Sequence, residues 1–265
     1  MSNIKTVFKR LGEWAKYPAY QLERRADIFF AMYLPEIIES HFTNESVNFG
    51  QIIPEFPIRQ DWHTKKGKGD QTRRSNKVDY MVFGAENIYF IELKTTMNSF
   101  EPEKDEAYLT KACGRDVKET SFSSLIRDII EIRETSDEKL KYNDLIAHIC
   151  SVKGLKGKIK LNPDIMEAGN TKKFKIEEIK DEEIINDKPR KIIYILPCRK
   201  EKEEVNYKEL KKLFKDFDGD LLYIFSFTDI IKILNQKKGN LAKHFAGFLE
   251  SQCCDGENCS KCKIG

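Results

Sequence analysis

Asp79, Glu92 and Lys94 are the residues of this chain whose types and spacing could do chemistry. They fall in Lys77-Val78-Asp79-Tyr80-Met81-Val82-Phe83 and Ile88-Tyr89-Phe90-Ile91-Glu92-Leu93-Lys94, separated by Gly84-Ala85-Glu86-Asn87. Two aromatic and β-branched runs around Gly and Asn predict a β-hairpin. Side chains alternate along a strand, so Glu92 and Lys94 share a face with Ile88 and Phe90. A turn centred on Ala85-Glu86 pairs Phe83 with Ile88, and the same register sets Asp79 opposite Glu92, at about 5 Å between Cβ atoms. Facing carboxylates repel unless a cation lies between them, and hard carboxylate oxygens suit a divalent metal. Lys94, one side chain further along, is placed to meet a water or an anionic substrate.

Asp79, followed on the next strand by Glu92-Leu93-Lys94, resembles the Asp…Glu-X-Lys signature of the PD-(D/E)XK nucleases. The resemblance is carried by residues 77–96 and extends over roughly 20–135. Val78 stands where the family's Pro would be, and that Pro is not a ligand. The resemblance implies an α/β chain with a restriction-endonuclease-like core, a central mixed β-sheet flanked by helices. It also implies Mg²⁺ or Mn²⁺ and hydrolysis of DNA, less often RNA, to 5′-phosphate and 3′-hydroxyl ends. In that reading Asp79 and Glu92 hold the metal with the backbone carbonyl of Leu93. Lys94 orients or helps deprotonate the attacking water.

Glu-X-Lys alone is weak in a chain that is 34% charged. Glu178-Ile179-Lys180 and Glu209-Leu210-Lys211 repeat it within Lys- and Glu-rich stretches that read as solvated helices. Only Glu92-Leu93-Lys94 closes a buried-looking strand after an Asp at compatible register.

The elements around the hairpin position these groups. Residues 19–42 predict an amphipathic helix in which Glu23, Ala26, Phe30, Tyr33, Leu34 and Ile37 keep a three-four spacing, with Pro35 a kink or boundary. An acid on that apolar stripe asks for a partner; the resemblance implies a carboxylate on the first core helix that reaches the metal site, and Glu23 is the candidate for a second metal or a metal-bound water, with a surface ion pair as the alternative. Residues 51–60 predict an edge or bent strand holding Pro54 and Pro57, with Glu55 between them as a candidate further acid. Lys65, Lys66, Lys68, Arg73 and Arg74 then form a basic loop suited to phosphate contacts without sequence readout, bordered by Trp62 and His63.

Beyond Lys94, helical text runs from about 103 to 135, broken near Gly114 or Thr120. The resemblance implies a substrate-holding cation on such a helix; Lys111, Arg115 and Lys118 are available for it, and no spacing singles one out. A helix over 139–150 and a charged excursion over about 151–190 follow. Strands over 191–197 and 220–226 flank a charged helix at 206–217, and helices over 228–236 and 239–251 end the pattern. Continuous apolar strands alternating with helices imply a sheet covered on both faces. Residues 1–250 are therefore expected to form one domain with a peripheral insertion, followed by a Cys-rich tail at 251–265.

Net charge is +3, so affinity for nucleic acid must come from local patches. No run approaches the roughly 20 apolar residues of a membrane span, and no leader pattern opens the chain, which points to a cytoplasmic protein. Cys113, Cys150 and Cys198 read as reduced core thiols. Cys253, Cys254, Cys259 and Cys262 have the spacing of half a zinc knuckle, with a reduced tail or an iron–sulfur cluster as alternatives. The expected partner is nucleic acid, chiefly DNA. A homodimer suits an enzyme that cuts both strands, and no residue pattern decides it. The competing readings are a nuclease-fold binding module without catalysis and an interaction protein whose charged hairpin is incidental.

Overall fold

The computed structural model describes residues 2–14, 23–59, 75–96, 99, 108–113, 121–161, 176–197, 208 and 221–253; the side chains of 2, 3, 12–14, 23 and 24 lie outside the description. The fold is mixed α/β, with a central mixed sheet flanked by helices. Its five strands are β1 (Ile52–Arg59), β2 (Ser75–Phe83), β3 (Ile88–Leu93), β6 (Arg190–Leu196) and β7 (Leu222–Ser226), in the order β1-β2-β3-β6-β7. A separate antiparallel pair joins β4 (Ile159–Leu161) to β5 (Ile176–Ile179).

The pairing type changes at β3. β1 and β2 pair antiparallel. The Gly84 N–H donates to the Asn87 carbonyl at 2.9 Å, closing the β2–β3 turn around Ala85-Glu86 as the hairpin reading expects. On its other side, Ile88 donates to Pro189 and Lys94 to Ile195. Both bonds span the same offset, so β3 runs parallel to β6, as β6 does to β7. All six residues of β3 are buried, which is why it reads as a continuous apolar run broken by Glu92 alone.

Contacts divide the chain into two compact units, each discontinuous in sequence. The first takes Met1–Phe49, Ile91–Asp105 and Lys191–Gly265; the second takes Gly50–Phe90 and Glu106–Arg190. In the first, α2 (Glu23–His41) continues through Pro35, and its stripe of Ala26, Phe30, Leu34 and Ile37 is buried. That burial stabilises by about 1.5–3 kcal/mol for each large side chain. Phe8 of α1 (Ser2–Trp14) packs on Phe29, and on Phe245 and Phe248 of the last helix. At the far end of α2, His41 stacks on Phe225 and Phe42 meets Tyr223 edge-on.

In the second unit, α3 (Phe122–Thr135) starts at Ser121, whose hydroxyl accepts from the Ser124 N–H. It packs on β1 and on α4 (Lys139–Ser151). Between α3 and α4, the buried Arg133 donates through Nε to Asn143 at 2.7 Å and through Nη1 to Glu134 at 2.9 Å. The excursion after α4 contains β4, β5 and α5 (Glu182–Asp187), with Leu155, Ile159 and Ile185 buried. Glu178 lies on β5 and not on a helix. Its strand exposes Glu177 and Glu178 and buries only Ile179, opposite Ile159, so pairing with β4 sets the conformation that the charged text did not signal. The chain then closes through α6 (Phe227–Asn235) and α7 (Asn240–Gln252). The predicted helix at 206–217 lies outside the described residues apart from Lys208.

Candidate active site

Glu92 is the fifth residue of β3, and Lys94 follows the strand's last residue. The Lys94 N–H still bonds to Ile195 at 2.9 Å, so the backbone stays extended and both side chains fall on one face. There Nζ of Lys94 donates to Oε2 of Glu92 at 2.9 Å. The carboxylate is 3% exposed and the ammonium side chain 11%. Two charges withdrawn from water cost several kcal/mol each unless geometry compensates, so this pair is a poor device for stability alone.

The parallel register adds a neighbour that sequence reading missed. Ile192 donates to Leu221 and is the partner of Leu222. By the same pattern, Lys94 is level with Leu196 and Glu92 with Tyr194, on one face. Tyr194 is fully buried. Its text, Ile193-Tyr194-Ile195, reads as plain core; only the register distinguishes the phenol.

Asp79 is half-buried on β2, which neighbours β3 in the sheet. Pairing of Pro54 with Tyr80 and of Phe56 with Val78 brings Glu55 level with Asp79 on β1. Glu55 holds φ of 52°, left-handed backbone that is costly outside glycine. Its carboxylate meets Nζ of Lys77 at 3.2 Å with both side chains about half exposed, an ion pair worth little to stability.

Lys111, a candidate substrate cation, is committed elsewhere. Its Nζ bonds to Asp128 at 2.8 Å and to the Arg59 carbonyl at 3.1 Å, while Arg59 reaches Asp128 and Glu131. Arg115, Lys118, Trp62 and His63 lie outside the described residues, as do Lys65, Lys66, Lys68, Arg73 and Arg74 and the Glu209-Leu210-Lys211 control. So do Cys198, Cys254, Cys259 and Cys262 and the side chain of Glu23. Cys113, Cys150 and Cys253 are half-buried and in no disulfide, and burial pushes the Cys150 thiol up to about 11.

Among the described residues, no three or more His, Cys, Asp or Glu side chains gather as a metal site. Mg²⁺ does not require that many. It takes one or two carboxylates and completes its shell with waters and phosphate oxygens. The oxygen donors of Glu92 and the Leu93 carbonyl match that preference in kind. Among the described residues, no helix is long and apolar enough to cross a membrane.

No family model matches the chain, and comparison with the curated proteins and with the solved structures gives no match.

Proposed function

We propose that this protein is a metal-dependent nuclease of the PD-(D/E)XK type that hydrolyses phosphodiester bonds of DNA. The observation that supports it most is the buried Glu92–Lys94 pair at the end of β3, the strand at which pairing changes from antiparallel to parallel. In α/β sheets, ligands favour the carboxyl ends of parallel strands, and Lys94 follows the end of β3.

In this reading Asp79 and Glu92 hold Mg²⁺ or Mn²⁺ with the Leu93 carbonyl, and Glu23 adds a further carboxylate. A bound divalent metal supplies an activated water and charge neutralisation at the phosphate. The ammonium of Lys94 orients the attacking water and donates to a phosphoryl oxygen as negative charge develops there. The basic residues Lys65, Lys66, Lys68, Arg73 and Arg74 hold the backbone through phosphates, which sets position but not sequence.

A second reading is a nucleic-acid-binding module without catalysis. It is favoured by the charge balance within the pair, since Lys94 offsets Glu92 without any metal.

The test is incubation of the purified protein with supercoiled plasmid, linear duplex, single-stranded DNA and RNA, in Mg²⁺, Mn²⁺ or EDTA. The expected result is metal-dependent cleavage that Lys94→Ala abolishes. DNA binding with no cleavage in either metal would favour the second reading.

A further inference from the structure

The Glu92–Lys94 pair sets a condition on any metal that Glu92 holds. A carboxylate this buried has exchanged hydration for an ammonium 2.9 Å away. A divalent cation arriving at that carboxylate meets a resident cation, and the repulsion between them is strengthened by the low local dielectric. The Lys94 backbone is pinned to Ile195 and cannot retreat. Its four-carbon stem can, because lysine is a point charge on a flexible chain.

Resting on the nuclease reading, we propose that Lys94 is the counter-cation of Glu92 in the metal-free protein and is displaced by the entering metal. Displacement turns the ammonium from the carboxylate to the substrate phosphate. One side chain then does two jobs in sequence. It keeps a buried carboxylate neutralised while the site waits, and it becomes a phosphate donor only once metal has arrived. The cost is weakened metal affinity, because every metal bound must break the ion pair.

The experiment is Mn²⁺ titration by calorimetry without substrate, paired with thermal denaturation at rising Mn²⁺. It compares wild type with Lys94→Met, Lys94→Gln, Lys94→Arg and Glu92→Gln. Removing the competing charge should tighten Mn²⁺ binding by about tenfold or more, equivalent to about 1.4 kcal/mol. Lys94→Gln keeps an amide donor for Glu92 and should show the same gain if Lys94→Met folds poorly. Lys94→Arg keeps the charge and should bind no more tightly than wild type. The rise in melting temperature with Mn²⁺ should be larger in the neutral variants. Unchanged affinity in both neutral variants, with binding lost in Glu92→Gln, would overturn the displacement and leave the metal site standing. Mn²⁺ binding that is absent throughout, or indifferent to Glu92→Gln, would overturn both.

Discussion

Nζ of Lys111 lies 2.8 Å from Oδ2 of Asp128, joining the helical residues 108–112 to α3 across one nearly dry ion pair. The same ammonium donates to the carbonyl of Arg59, the last residue of β1. Asp128→Ala leaves that ammonium buried with its charge uncompensated. The expected loss is about 3 kcal/mol. Urea unfolding should show it as a lower midpoint at unchanged slope. Replacing both groups, Lys111→Met with Asp128→Leu, should recover much of it, because no unpaired charge remains. Equal losses in the single and double variants would mean that the pair is not the source of the cost.

The nuclease reading makes Asp79 and Glu92 catalytic. Asp79→Ala and Glu92→Gln should each lower plasmid cleavage by at least about a hundredfold, while DNA retention in a filter or gel assay changes little. A variant that cuts at the wild-type rate would remove its residue from the site.

Cys150 gives a pH dependence with a definite sign. Burial raises the thiol from its ordinary 9.0 to about 11, so the native state holds a proton that the unfolded chain releases. Where the native state binds more protons, stability falls as pH rises. Stability should therefore decline between pH 9 and 11, and Cys150→Ala should flatten that decline in urea titrations at fixed pH. An equally steep fall in the variant would assign it to other groups.

Two glycines with positive φ separate backbone strain from crowding. Gly154 holds φ of 98°, and a Cβ there would meet Cε1 of Phe83 at 2.8 Å. Gly157 holds φ of 77° with nothing within 4 Å of the added carbon. Gly157→Ala should cost roughly 1–2 kcal/mol from conformation alone. Gly154→Ala adds overpacking against a ring and should cost about 1–3 kcal/mol more. Equal melting temperatures for the two variants would show that Phe83 yields freely.

Much of this fold was legible because its strands are apolar and its turns carry Gly and Asn. The hairpin closed at Gly84 and Asn87, the strands at 190–196 and 222–226 and the helices after them stand where residue patterns place them. Alternation alone puts Glu92 and Lys94 on one face, but it gives no sign of the ion pair between them. What was illegible depends on partners far along the chain. β5 shows little apolar pattern of its own and is a strand because β4 pairs with it. Lys111 looked available because its partner Asp128 is seventeen residues on, beside Arg127 and one turn before Glu131, where an acid reads as one more solvated charge. The phenol of Tyr194 comes level with Glu92 only through parallel pairing, which text cannot register. Glu55 carries a left-handed backbone that no residue preference announces.

Phe8 packs against Phe245 and Phe248 with both ring centroids 5.7 Å away. During synthesis at roughly 5–20 residues per second, the first of these rings waits on the order of tens of seconds for the others to exist. Until then Phe8 has Phe29 of α2 to pack on, but not the two rings of the last helix. This part of the core is therefore completed late, only once the last helix has been made.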